Sequence, residues 1–118
     1  MNIEELRDYC NSKKGVEEGF PFGPEHIVFK VMGKVFLIAS IDEHPLRFNA
    51  KCDPEKAVEL RERYACVVPG YHMNKKHWNS IIADGSVNVG LLQEWITHSY
   101  DLIVNKLPRQ QQQQMKKL

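Results

Sequence analysis

The residues best suited to chemistry lie in one segment, Tyr71-His72-Met73-Asn74-Lys75-Lys76-His77-Trp78. Lysine ammonium groups hold phosphates, and aromatic rings pack against sugars or bases. The segment therefore predicts contact with DNA, with Lys75 and Lys76 holding phosphates. His77 is included among the contacting residues, and Tyr71 and Trp78 would organise the surface. A structural interpretation also stays open, because basic clusters are often simply solvated surface. In that interpretation Trp78 begins a strand and packs in the core, and the loop fixes where the strand starts.

A second basic group alternates with apolar residues along a predicted strand. Arg47, Asn49 and Lys51 share one side of this strand. Together with Lys30 and Lys34 of the preceding strands, they would form a wing of β-hairpins that contacts phosphates. Such contacts are independent of DNA sequence and weaken with salt. The alternative is a polar outer face whose charges discourage edge-to-edge aggregation.

The sequence lacks the usual patterns of metal sites and catalytic centres. Its five histidines and three cysteines show neither C-x2-C nor H-x3-H spacing. No nucleophile elbow, P-loop, dinucleotide-binding glycine pattern or H-E-x-x-H is present. The acids Glu4, Glu5 and Asp8 suit the start of a helix, where negative charge is stabilising. We expect no metal, no cofactor and no enzymatic activity.

Periodicity and turn residues define the elements that would position these side chains. An N-terminal helix is expected over 3–12, strands over 26–32, 35–41 and 46–51, and a helix from Asp53-Pro54 to about residue 64. Short strands follow at 66–68 and 76–83. An amphipathic helix then ends near Leu107, because Pro108 cannot continue it. Residues 109–118 contain five glutamines and few apolar side chains, which predicts a flexible tail.

This order predicts an α+β domain over 1–108 with the topology α-β3-α-β2-α. Its five-stranded antiparallel sheet would carry helices on one face and leave the other at least partly open. A chain of 118 residues is long enough to bury a core without disulfides or metal.

Composition restricts the class of protein further. The net charge is +1, which allows a local basic patch but does not support strong non-specific DNA binding. No apolar run is long enough to span a membrane, and the acidic N-terminus does not resemble a secretory signal. Three cysteines, an odd number, suit a reducing compartment. We therefore expect a cytoplasmic protein that does not partner a membrane.

Several motifs in this order resemble the MmcQ/YjbR family of small bacterial proteins. The resemblance covers about residues 3 to 107, and the most specific part is the 71–78 segment followed by Ser-Tyr-Asp-Leu. The motifs that carry it are Tyr9-Cys10, Lys14-Gly15, Phe20-Pro21-Phe22-Gly23, Gly33-Lys34-Val35-Phe36, Cys52-Asp53-Pro54-Glu55-Lys56-Ala57, Val68-Pro69-Gly70 through Trp78, and Ser99-Tyr100-Asp101-Leu102-Ile103.

The resemblance implies a two-layer α-β3-α-β2-α sandwich, similar to type III secretion chaperones and loosely to frataxins. It also implies DNA binding through a double-wing surface of β-hairpins. We accordingly expect a non-enzymatic module that binds double-stranded DNA weakly through its hairpins and the 71–78 loop. The alternative is a protein–protein or chaperone-like module that uses the open sheet face, an edge strand or a dimer interface. A more remote alternative, a small-molecule site, would require a concave pocket.

Overall fold

The computed structural model describes residues 1–118 as four helices and six strands. The helices are α1 (Ile3–Asn11), α2 (Pro54–Arg63), α3 (Val89–Asn105) and α4 (Arg109–Lys116). The strands are β1 (Val16–Gly19), β2 (His26–Val31), β3 (Lys34–Ser40), β4 (Leu46–Lys51), β5 (Val67–Pro69) and β6 (Trp78–Ala83). They form one antiparallel sheet in the order β1-β2-β3-β4-β6-β5.

Side-chain caps explain where the first three helices begin. Asn2 accepts a hydrogen bond from the Glu5 backbone N–H at 2.8 Å, and Glu5 accepts one from the Asn2 N–H, which makes a capping box. Asp53 caps α2 by accepting from the Lys56 N–H, and Pro54 occupies its first turn. Asn88 caps α3 by accepting from the Leu91 N–H.

The sheet separates its side chains into two faces because alternate residues of a strand point in opposite directions. The helix-bearing face is apolar, and its strand residues join side chains of all four helices in one buried cluster. On this face Ile27 pairs with Ala39, and Phe48 with Ile81. The opposite, helix-free face carries Val28 beside Ile38, and a mostly polar row of His26, Ser40, Arg47, Asn49 and Ser80.

The α+β class and the antiparallel sheet are confirmed, but the prediction of five strands was wrong. The sixth strand is β1, which pairs with β2 from Val16↔Val31 to Gly19↔Val28. Its sequence, Val-Glu-Glu-Gly, carries one β-branched residue and no clear alternation, so intrinsic preference does not reveal it. Tertiary pairing with β2 creates this strand.

The C-terminal residues also differ from the flexible tail that the sequence predicted. Residues of the glutamine run form α4, whose Met115 is buried in the core cluster together with Leu107. The Gln112 side-chain amide donates to the Leu107 carbonyl at 2.9 Å and to the Asn105 carbonyl at 3.3 Å. Glutamine is a good helix former, and one apolar side chain provides the tertiary anchor.

Candidate functional site

Lysines from several elements lie at one end of the sheet, which we call the basic end. Lys30 and Lys34 flank the β2–β3 turn, and Lys51 ends β4 beside Trp78. Five lysines that the sequence analysis did not select join them: Lys13, Lys14, Lys106, Lys116 and Lys117. The basic end therefore contains eight of the 16 basic residues.

Aromatic contacts link the end of α1 to the β2–β3 end of the sheet. The Tyr100 hydroxyl donates to the Lys14 carbonyl, and the Tyr100 ring packs edge-on against Phe36 of β3 at 5.7 Å. The Lys13 ammonium lies 4.7 Å from the Tyr9 ring centre and 5.4 Å from that of Tyr100. These contacts bring Lys13 and Lys14 toward the start of β3.

The C-terminal lysines reach the same end through Gly15. A Cβ atom at Gly15 would lie 3.0 Å from the Met115 sulfur and 3.1 Å from a methyl of Leu118, so the end of α4 lies against this turn. Lys106 follows α3 and is close enough to Lys51 to contribute to its titration. Burial, followed by the charge of Lys106, lowers the pKa of the Lys51 ammonium.

Two of the other predicted DNA-contacting residues lie on a different surface. Lys75 and Lys76 are exposed and line a shallow depression beside α2 with Glu55, Val58 and Arg61. The Arg61 guanidinium donates to the Lys75 carbonyl at 3.1 Å. The predicted residues therefore do not form one cluster, because Lys75 and Lys76 lie beside α2 and not along the β2–β3 hairpin.

Trp78 and His77 have mainly structural contacts. Trp78 begins β6 and is buried, with the Lys51 ammonium 5.2 Å from its ring centre. The His77 carbonyl accepts a hydrogen bond from the Cys52 N–H at 2.8 Å. Trp78 packs outside the main cluster, on the helix-free side of the sheet.

Arg47 and Tyr71 meet in a groove on the helix-free face. The groove has a volume of about 680 Å³ and is bounded by three loops, residues 20–25, 41–45 and 70–77. Phe22, Tyr71 and His72 stand at its sides, and its floor contains Ile38, Arg47 and Asn49. The sequence analysis considered such a pocket only as a remote alternative, since no local pattern joins residues so far apart in the chain.

The Tyr71 backbone is held on the sheet by two polar side chains. Its N–H donates to the Ser80 hydroxyl at 2.8 Å, and its carbonyl accepts from the Asn49 amide at 3.3 Å. The Ser80 hydroxyl in turn donates to the Asn49 side-chain oxygen. This network fixes the loop, while Tyr71 itself stays 60% exposed.

The three cysteines are buried thiols on the helix-bearing side. Burial raises the pKa of Cys10 to about 12 and that of Cys52 to about 11. Both side chains are therefore thiols rather than thiolates at neutral pH. No three His, Cys, Asp or Glu side chains are grouped as a metal site would require. None of the four helices combines the length and the apolar content that a membrane span needs.

His98 of α3 joins α3 to the start of α2. Its Nε2 atom accepts the Asp53 backbone N–H at 3.2 Å, which requires a neutral imidazole. Burial is the main cause that lowers the pKa of His98, and the charge of Lys56 acts in the same direction. The carboxylates of Asp53 and Asp101 oppose this shift.

This geometry predicts a loss of stability in mild acid. A histidine whose pKa is lower in the folded state contributes stability above its unfolded pKa of about 6.5, and this stability declines as the pH falls below that value. We expect the melting temperature of the wild-type protein to fall more between about pH 7 and pH 5 than that of His98→Gln, because the glutamine amide does not titrate. An equal fall in melting temperature with pH for the two proteins would contradict this role of His98.

Comparison with known proteins places this architecture in a family. The family model described as YjbR matches residues 11–102. The chain belongs to the YjbR family. It is 39% identical to the Escherichia coli O157:H7 protein YbdF over 101 residues, which covers 86% of this chain and 83% of the relative. It is 32% identical to Escherichia coli K12 YjbR over 93% of both chains.

Solved structures support the same relationship. A crystal structure of a Deinococcus radiodurans protein with the domain DUF419 superposes with a TM-score of 0.91 at 36% identity, over 98% of this chain and 88% of that one. A Pseudomonas syringae protein shares the fold with a TM-score of 0.74 at 24% identity, over 86% and 98% of the two chains. Both Escherichia coli relatives are named as uncharacterized proteins, so their names give no activity to compare with this chain.

Proposed function

We propose that this YjbR-family protein is a non-enzymatic binding module that contacts the phosphate backbone of double-stranded DNA through the basic end. The observation that carries the proposal is the convergence of eight lysines from separate elements on one end of an otherwise near-neutral chain. Lysine is a flexible point charge that suits phosphate contact without reading bases. Binding is therefore weak and independent of DNA sequence.

The electrostatic environment supports this use of the lysines. The only ion pair in the structure joins Arg7 and Glu18, at 2.7 Å, so none of the eight lysines is neutralised in this way. Glu17 pairs with Lys30 across β1 and β2, and it is the acidic residue that the register places against this group. A salt-dependent affinity in the range of about 10⁻⁴ to 10⁻⁶ M is expected for such non-specific binding.

The test compares two triple variants that remove the same charge from different surfaces. Lys30→Gln/Lys34→Gln/Lys106→Gln alters the basic end, and Lys75→Gln/Lys76→Gln/Arg63→Gln alters the region around α2. Fluorescence anisotropy of a labelled random-sequence duplex at low and moderate salt would measure affinity and its salt slope. We expect the first variant to weaken binding about tenfold or more and to reduce the slope by about 2–3, since each lost phosphate contact contributes about 0.9.

The control variant is expected to retain most of the affinity. Equal losses in both variants would indicate a response to net charge and would contradict the assignment to the basic end. An absence of binding even at low salt would contradict DNA binding itself.

The protein–protein alternative has less support from the helix-free face. A partner segment that docks on a sheet needs a continuous apolar surface. Here the exposed rings of Phe22 and Tyr71 stand above a floor interrupted by Ser40, Arg47 and Asn49. This mixture of rings and isolated polar groups is more typical of a small-ligand site.

A further inference from the structure

We propose that the groove on the helix-free face binds a small planar aromatic carboxylate, with Arg47 holding the carboxylate and Tyr71 and Phe22 contacting the ring. This site is separate from the basic end and does not depend on DNA binding. Its volume of about 680 Å³ lies within the range of small-molecule sites, about 300–1,000 Å³.

Arg47 provides an anion-binding group that the protein itself does not use. Its side chain is half-buried on the floor of the groove and forms neither an ion pair nor a side-chain hydrogen bond within the protein. Its guanidinium carbon lies 5.4 Å from the centre of the Tyr71 ring, which orients the side chain by a cation–π contact. The planar fork of an arginine matches a carboxylate with two parallel hydrogen bonds.

The aromatic wall is held in place before any ligand arrives. Two hydrogen bonds hold the Tyr71 backbone in place. Its N–H donates to the Ser80 hydroxyl, and its carbonyl accepts from the Asn49 side-chain amide. His72 adopts the left-handed backbone conformation, with φ of 58°, and its ring lies 4.0 Å from that of Tyr71. A non-glycine residue in this region costs free energy that the surroundings must offset, and such strain is concentrated at binding sites. Preorganisation of this kind lowers the entropic cost of binding.

Charge and shape select the class of ligand. Phe22 is 65% exposed and Tyr71 is 60% exposed, so the 20–25 loop and the 70–77 loop each present a ring to the groove. A planar aromatic ligand gains binding energy by stacking on the faces of these rings. Arg47 is the only lysine or arginine in the lining, and Glu43 also lines the groove. A single negative charge therefore fits better than a dianionic phosphate, because the lining offers one arginine and Glu43 repels each added negative charge.

The experiment titrates the full chain with indole-3-carboxylate, benzoate and 1-naphthoate, and follows backbone amide shifts by NMR. The neutral indole-3-carboxamide and adenosine 5′-monophosphate are titrated in the same way. We expect saturable binding of at least one carboxylate with a Kd of about 1 mM or tighter, and shifts centred on residues 22, 47, 71 and 72. The carboxamide is expected to bind about tenfold more weakly than the matching acid.

Two arginine variants separate the anion contact from general charge. Arg47→Gln should weaken indole-3-carboxylate binding about tenfold and leave carboxamide binding unchanged. Arg63→Gln is the matched control, because Arg63 lies over Tyr64 at 5.6 Å in a comparable arrangement far from the groove. Tyr71→Ala should weaken binding of both indoles, since each uses the ring.

Three results with the carboxylates would overturn the proposal, and a fourth with the nucleotide would do the same. These are the absence of saturable binding by all three carboxylates, equal affinity for acid and amide, and an unchanged affinity in Arg47→Gln. Tighter binding of adenosine 5′-monophosphate than of every carboxylate would assign the groove to nucleotides instead. Since no DNA is present in these titrations, their outcome is independent of the test of the basic end.

Discussion

Deleting residues 109–118 is expected to lower the melting temperature by roughly 8–20 °C. The deletion removes Met115 from the core and uncovers Leu107, both of which are buried. It also removes the two hydrogen bonds from Gln112 to the carbonyls that end α3. Loss of a buried methionine costs about 2–5 kcal/mol, and about 1 kcal/mol corresponds to about 4 °C in a domain of this size.

Point variants distinguish the contribution of the buried Met115 side chain from that of the exposed residues of α4. Met115→Ala should reproduce most of the deletion effect, because this side chain contacts Gly15 and joins the core cluster. Gln113→Ala lies on the exposed side of the same helix and should leave the melting temperature within about 2 °C of wild type. Calorimetry measures all three. An unchanged melting temperature in the deletion would restore the flexible tail that the glutamine run predicts.

Gly70→Ala is expected to destabilise the fold by about 2–3 kcal/mol and to displace the loop that walls the groove. A Cβ atom at Gly70 would lie 2.8 Å from the Trp78 Cβ and 2.9 Å from the Trp78 carbonyl oxygen. The second contact involves backbone, which cannot rotate away as a side chain would. The Gly70 N–H also donates to this carbonyl at 3.0 Å, so relieving the clash stretches a hydrogen bond.

The matched control is Gly19→Ala, since nothing lies within 4 Å of a Cβ at Gly19. Urea unfolding should show wild-type stability or a slight gain for this control, because alanine restricts the unfolded chain more than glycine does. Backbone amide shifts at Tyr71 and His72 should move in Gly70→Ala and not in the control. Similar unfolding midpoints for the two variants would show that the loop relaxes without cost.

The sequence predicted those elements that carry their own local signals. Asn2 with Glu5, and Asp53 with Pro54, are helix starts that need no tertiary information, and the structure has both caps. Strand β1 and helix α4 lack such signals, because each depends on a distant partner. The first requires β2, and the second requires a pocket for Met115 near Gly15.

The candidate sites show the same dependence on long-range contacts. Sequence reasoning chose Lys75 and Lys76 because they are adjacent to aromatic residues, but adjacency in the chain does not determine which surface a loop covers. The basic end is assembled from residues 13 to 117, and only tertiary packing joins Lys13 to Lys106 or Lys117. The groove likewise needs the register that places Arg47 beside Ser40 and Asn49 beside Ser80.

The alternation of residues along β3 and β4 has a consequence for how such a protein can diverge. Phe48 and Ala50 stabilise the helical layer, while Arg47 and Asn49, their immediate neighbours in the chain, face the groove. Substitutions on the groove side, such as at Arg47, are therefore expected to have little effect on the core, since the sheet backbone separates one face from the other. During evolution the residues on one face of the sheet can therefore vary, while the alternate residues keep their packing against the helices.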